Sequence, residues 1–388
     1  MVDLKKEIKL SDLVPRRKPK PGGTTIARSR TARSRRPSKR ELVGLKVGAS
    51  QLAAARVMNN GSANLLQLAR EPLDRGVVVG GEVRNVPALA EALDSFFEEH
   101  KLPRRGVRLG LATNRIGVRA FDVDGIADER QLANAIRFRA HEAVSIPIDE
   151  AVLDYHVVSE TVDDAGAVSR RILLAAAYRE SIDRYIEACR AAKVELYGID
   201  LEAFALLRAV QSMPVSDEET TRAVVAVSLG HDRSTLAIAD SAVCEFTRVL
   251  EWGGGKLETA IALDLGVTPD EAFELKLAAS LTSEAHEHED PRMHRVHEAI
   301  ERELQKLARE LVASLQFYQS QPGSLAISEI LVSGGTSRIS GLPEALERLT
   351  RVGVRRADPL AHVTAGDDLQ ARDDLASLTI AIGLGVEA

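Results

Sequence analysis

Residues 327–342 read ISEILVSGGTSRISGL: an apolar run ending at Ser333, a Gly334-Gly335 pair, Thr336, and a further glycine, Gly341, ahead of a helical segment that opens with Pro343. The pattern predicts a strand, a turn and a helix. Residues without side chains let a backbone approach a flat ligand closely, and the start of the next helix offers unpaired N–H groups. Two readings are open at this point. The glycines either form a left-handed corner that needs no ligand or make one wall of a binding site, and what the chain places opposite them decides between the two.

Working upstream, Ile300, Leu304, Leu307, Leu311 and Leu315 recur every three or four residues, which predicts a long helix leading into the glycine strand. Before it, RAVVAVSLG, HDRSTLAIAD and AVCEFTRVLEWGGG predict three strands from Arg222 onward. Two helices follow, GKLETAIALDLG and TPDEAFELKLAAS, the second with Thr268 as cap and Pro269 in its first turn. The first part of the chain opens in the same shape. LVGLKVGAS, LAAARVMNNG and NLLQLAREPL predict three strands with an Asn60-Gly61 hairpin, then a helix from Val86 and a further strand over 106–113. Two βββα openings at low mutual identity indicate an internal duplication.

Between them lies a segment of different rhythm, read as helix, strand, strand and helix. The resulting expectation is an α/β protein with a disordered basic tail over 1–41, a first RNase H-like half over 42–120 and 186–221, an inserted α+β subdomain over 121–185, and a second RNase H-like half over 222–388.

Composition narrows the class. The chain has 388 residues and 45% hydrophobic content, enough for a large core. No run approaches the ~18 to 20 consecutive apolar residues of a membrane span, and the N-terminus lacks an apolar leader. Cys189 and Cys244 lie in apolar-patterned segments without a CxxC neighbour, as expected for reduced, buried thiols. The formal charge of −6 hides an asymmetry, because residues 1–40 carry 14 Lys or Arg against 3 Asp or Glu, leaving −17 for the remainder. That tail is poor in apolar residues and cannot offset its own ordering entropy. It reads as a solubilising leader or as a contact for an anionic membrane surface. It has no aromatics to stack on bases, which argues against nucleic acid. The histidines at 286, 288, 294 and 297 are interleaved with acids and read as an exposed charged loop rather than a metal site.

In combination, VGLKVGAS, EAVSIPIDEAVLDYHVV, ILLAAAYRE, CEFTRVLEWGGGKLETAIA, EAFELK, ELVASLQFYQ, EILVSGGTSRISGL and the AIGLG ending resemble the type IV pilus assembly PilM family. That family is kin to the cell-division protein FtsA within the actin-like ATPase superfamily. The resemblance covers about nine-tenths of the chain. It implies an actin-like fold and a cleft for ATP or ADP lined by Gly44, Lys46, Gly48, Ser50, Gly230, Gly253, Gly254, Gly255, Lys276, Gly334, Gly335 and Thr336. It also implies a PilN-like inner-membrane protein whose N-terminal peptide sits beside the insert, the helix over 130–144 being the region to inspect. Through that partner the protein would sit in the cytoplasm, peripheral to the inner membrane. Pilus motor or platform proteins and further copies of the chain are additional candidate partners.

Set against the family pattern, three polar positions depart. Lys46 and Ser228 stand where the two phosphate turns carry Asp, with Asp232 a poor substitute, and Phe273 stands where the ribose-binding Glu is expected. Mg²⁺ is usually held by one or two carboxylates with phosphate oxygens, so Mg²⁺ binding and hydrolysis are both expected to suffer, and no catalytic residue and no metal ligand is assigned. Lys46 either points into solvent at a strand end or supplies part of the missing metal's charge. A cation and a phosphate ~4 Å apart at an effective dielectric near 20 attract by about 4 kcal/mol. Two alternatives remain. An FtsA-type ATP-binding filament is expected to carry an amphipathic tether, which GVEA does not supply; an actin-fold small-molecule kinase needs the acids that Lys46 and Ser228 replace.

Overall fold

The computed structural model describes residues 40–387 except 127, 145, 163–165, 211–221, 241–242, 283–289 and 322. The basic tail up to 39, the polar linker over 211–221, and His286 and His288 fall outside the described residues.

Strands β1 (Arg40–Val47), β2 (Gln51–Asn59) and β3 (Ala63–Pro72) form a meander, and Gly61 takes φ +100° in the second hairpin. After a two-residue ladder of β4 (Val78–Val79) with β5 (Glu82–Val83) comes α1 (Val86–Glu99), capped by the Asn85 side chain. Strand β6 (Val107–Leu111) then lies parallel to β1. The insert follows: β7 (Ile116–Asp124), α2 (Glu129–Ala143), β8 (Ala151–Val162) and β9 (Val168–Tyr178), a three-stranded sheet ordered β7-β9-β8. Helix α3 (Arg179–Ala191) buries Ile182, Tyr185 and Cys189 in the core of the first half, and α1 packs beside it. The inserted sheet therefore spans Ile116–Tyr178, starting and ending earlier than 121–185, because the apolar stripe of α3 faces the first-half sheet.

Strand β10 (Leu196–Leu201) completes that side of the sheet and α4 (Glu202–Val210) leads out. The second half repeats the plan with β11 (Arg222–Leu229), β12 (Ser234–Asp240), β13 (Val243–Leu250), α5 (Gly254–Leu265), α6 (Pro269–Ala278), α7 (Pro291–Gln319), β14 (Ala326–Ser333), α8 (Leu342–Thr350) and β15 (Val354–Arg356). Its sheet order β13-β12-β11-β14-β15 matches the order β3-β2-β1-β6-β10 in the first, so the duplication inferred from strand rhythm holds in topology. Pro291 in the first turn and the Asp290 cap start α7, and its leucine stripe from Leu304 to Leu315 is buried.

The chain then crosses back. Strand β16 (Val363–Ala365) pairs parallel to β3 at the far edge of the first sheet. After the short α9 (Asp367–Gln370), α10 (Leu375–Gly385) lies on β1 and β2 and against α4. The span 222–388 is thus not confined to the second half, since Leu378, Ala381 and Ile382 bury against Ala53, Ala55 and Val57 of the first. A shared core joins α4, α10, the inner face of the second sheet and Val118 and Leu173 of the insert. Asp200 pairs with Arg208, whose Nε donates to Gly383 O at 3.0 Å and ties α4 to α10.

His294 and His297 lie on α7. His294 is exposed and 3.5 Å from Glu298, whereas His297 is buried and its Nε2 accepts from the Ser280 N–H. The charged-loop expectation fails for His297, which packs on the inner face of the helix.

Candidate functional site

The glycine turns of the second half form one cluster. Strand β11 ends at Leu229, and the Gly230 N–H donates to Arg233 O at 3.1 Å to close the turn. Gly334 has φ +86°, a left-handed conformation, and a Cβ there would lie 2.4 Å from Leu229 O, so only glycine fits the corner. Thr336 Oγ1 donates to Gly230 O at 2.9 Å, while a Cβ on Gly254 would fall 2.4 Å from that same hydroxyl oxygen. Gly254 N and Gly255 N donate to Gly230 O and His231 O, each at 2.8 Å, and Lys256 N donates to Gly253 O at 3.0 Å. The first three N–H groups of α5, which a helix start would ordinarily present to an anion, therefore have acceptors within the chain. Gly335 is different, since a Cβ there would meet only an ordinary contact at 3.9 Å.

Lys276 is buried behind this cluster. Its Nζ pairs with Glu258 of α5 and lies 4.8 Å from the centroid of the Phe273 ring, while His231 Nδ1 stands 3.5 Å from the same carboxylate. Burial pushes the Glu258 carboxyl up, but the hydrogen bonds and charges of His231 and Lys276 outweigh it and hold the group below the usual range. A depressed folded value contributes stability that is present above the unfolded glutamate value of about 4.3 and is lost as pH falls through the folded value. Glu258→Gln is accordingly expected to lower the thermal midpoint at pH 7, with the gap to the parent protein shrinking below about pH 4. An unchanged gap at pH 3 would show that the pair contributes no pH-linked stability.

Across the cleft, the first-half positions are spent differently. A Cβ on Gly44 would lie 2.1 Å from Ala381 O and 2.5 Å from Gly385 N, so this glycine lets α10 lie on β1. Gly48 N donates to Gln51 O at 2.9 Å in the β1–β2 hairpin, and Ser50 O accepts from Leu73 N at 2.9 Å. Lys46 does not point into solvent. Its Nζ is 3.6 Å from Glu202 Oε2, with side-chain exposures of 16% and 7% for the two partners. A further link joins the halves directly. Asp232 accepts from Gly80 N at 2.9 Å, and Arg233 Nη1 donates to Ala112 O at 2.8 Å, with burial holding the guanidinium below its ordinary value despite Asp232 and Glu202 nearby.

These partners test the fit of a Mg²⁺-nucleotide. The carboxylates around the cleft are Glu202, Asp232 and Glu258, and each has a partner in the chain: Lys46, the Gly80 N–H, and Lys276 with His231. Among the described residues no group of three or more His, Cys, Asp or Glu could hold a metal ion. A Mg²⁺ ion on this side would share these carboxylates with the partners they already hold.

A second concavity, of about 1010 Å³, opens where the insert, the end of β6 in the first half and the second half come together. Its walls are the start of β7 (Ile116, Arg119), consecutive residues 246–249 of β13, and the outer side of α7 with Lys306, Arg309 and Phe317. No residue of α2 borders it.

The family model described as "Type IV pilus assembly protein PilM" matches residues 44–388. The chain belongs to the type IV pilus assembly protein PilM family. Among curated proteins, the cell division protein FtsA of Pseudomonas aeruginosa is 25% identical over 352 residues, covering 82% of this chain and 83% of FtsA. Among solved structures, a PilM-PilN type IV pilus biogenesis complex is similar at TM-score 0.72 and 24% identity, covering 89% of this chain and 98% of that one. MreB5 of Spiroplasma citri bound to AMPPNP reaches TM-score 0.52 at 13% identity, over 89% and 95% of the two chains. The fold is actin-like, as the motif resemblance implied.

For this PilM-family chain, the motifs point to the glycines but not to Glu202, Glu258, His231 or Arg233, which the structure places around the same cleft. Each had a faint signal: Glu202 interrupts the apolar IDLEAFALL, Glu258 follows the Gly253–Gly255 run by one helical step, and His231 and Arg233 sit in the second turn itself. Their partners are distant in the chain, so pairing was invisible.

Proposed function

We propose that the chain is a cytoplasmic scaffold of a type IV pilus, or of a related DNA-uptake or secretion machine, that binds the N-terminal peptide of a PilN-like inner-membrane protein and does not turn over nucleotide. The cavity bordered by the insert and the second half carries this reading, since it is open and partly apolar. Further support comes from the cleft itself, whose carboxylates and whose first α5 N–H groups are engaged within the chain. Phosphoryl transfer rests on positioning and metal charge, and neither turn supplies an unpartnered acid for the metal. No helix among the described residues is long and apolar enough to cross a membrane, which is consistent with attachment through a partner.

Calorimetry with ATP, in EDTA and in Mg²⁺, together with phosphate release and titration of the partner peptide, tests the proposal. The expected result is peptide binding and no Mg²⁺-dependent release. Steady Mg²⁺-dependent hydrolysis that disappears in a folded Lys46→Ala variant would overturn the non-enzymatic reading.

A further inference from the structure

Helix α2 is the outer layer of the insert. It buries Leu132, Ile136 and Ala140 on one face of the inserted sheet together with Ile172 and Leu174, while Val118 and Leu173 on the other face of that sheet join the core shared with the second half. The sheet thus lies between α2 and the rest of the molecule, and the far side of α2 has nothing packed on it.

Helical spacing puts Arg130, Asn134, Arg137, Phe138 and His141 on that far side, and all five are exposed. Phe138, at 71% exposure, is the most exposed aromatic side chain among the described residues, and α2 exposes no other large apolar side chain. Among the described residues Arg130 and Arg137 have no carboxylate partner, whereas Arg170 and Arg171 of β9 pair with Glu160 and Glu245. Arg139 is turned aside, its guanidinium 6.0 Å from the centroid of the Phe121 ring, and Glu142 borders the face at the C-terminal end of the helix.

The make-up of this face selects its occupant. A protein interface is built around a core of several apolar side chains, and this face offers one ring. A lipid surface asks for less. Aromatic rings settle at the level of the head groups, and each surface Lys or Arg is drawn to anionic lipid. One protruding ring flanked by two unpaired guanidiniums, on the outermost layer of its subdomain, fits a flat anionic surface.

We infer that the outer face of α2 rests on an anionic bilayer, with Phe138 entering the head-group boundary and Arg130 and Arg137 held against the lipid anions. The contact is direct and does not depend on the peptide-binding reading above. A single ring and two cations give weak, reversible binding, so the face orients a protein at the membrane rather than anchoring it there.

The test uses the full chain with vesicles of phosphatidylcholine, with and without phosphatidylserine. Phe138→Trp supplies the probe, because the chain's own Trp252 is 3% exposed and insulated from the lipid. Its emission is expected to shift to the blue with phosphatidylserine vesicles and to stay unchanged with phosphatidylcholine alone. In co-sedimentation, Arg130→Glu and Arg137→Glu are each expected to weaken binding to the anionic vesicles by about fivefold or more. Phe138→Ser is expected to weaken it by a similar factor. The basic residues of 1–40 could hold the same vesicles by themselves, and the probe separates the two contacts. Vesicle binding that leaves the Phe138→Trp emission unchanged, or that is indifferent to Arg137→Glu, overturns the inference. So does the absence of any binding to phosphatidylserine vesicles.

Discussion

Gly383→Val is expected to destabilise the protein by about 3 kcal/mol or more, at the upper end of overpacking costs. A Cβ at this position would lie 1.8 Å from Ala205 O and 2.7 Å from its carbonyl carbon. The obstacle is the backbone of α4, which cannot rotate aside as a side chain does. α4 and α10 both enter the core shared by the two halves, so relieving the clash moves both sheets. Thermal unfolding should start well below that of the parent protein, and Gly353→Ala, a position with nothing within 4 Å of the added carbon, serves as the neutral control. A Gly383→Val protein that melts with the parent would mean that the helices separate at little cost.

The second large effect concerns Lys46, near the end of β1. Lys46→Met leaves the Glu202 carboxylate buried without its cation, and breaking one side of a buried pair costs about 3 kcal/mol, discounted toward 2 for the partial exposure of the lysine. The double variant Lys46→Met/Glu202→Gln should recover much of that loss, because it is the orphaned charge that is expensive rather than the absent pair. Denaturant unfolding of the four proteins closes the cycle. Simple additivity of the two single losses would show that Lys46 and Glu202 do not interact.

The Lys46 pair also lies where the two halves meet. In this chain the two halves are joined there by its own groups. Arg233 and Asp232 of the second half hold Ala112 and Gly80 of the first, and Lys46 is matched by Glu202.

Much of the fold was legible because its signals are local. The strand rhythm of LVGLKVGAS and RAVVAVSLG, the Thr268 cap and the leucine stripe of the longest helix each depend on residues within a few positions of one another, and the duplication followed from their order. The return of the chain to the first sheet through β16 was not legible, because Val363–Ala365 is too short to announce a strand and its partner β3 lies far upstream. The limits of the insert were misjudged for a related reason: the buried stripe of α3 says that the helix packs, not on which sheet.

The site divides in the same way. By itself the sequence determined where the chain could bend without side chains and which family the motifs resemble. Only the tertiary structure decided what those features meet. Gly334 is pressed on Leu229 and Gly44 on α10; Lys46 finds Glu202, and Glu258 gathers Lys276 and His231. Gly334 makes a left-handed corner forced by the backbone of β11, and the N–H groups of Gly254 and Gly255 beside it are bonded inside the chain. Backbone bends and helix periods are set by neighbours in sequence, whereas steric closeness and charge compensation are set by neighbours in space, and those exist only once the two halves have folded against each other.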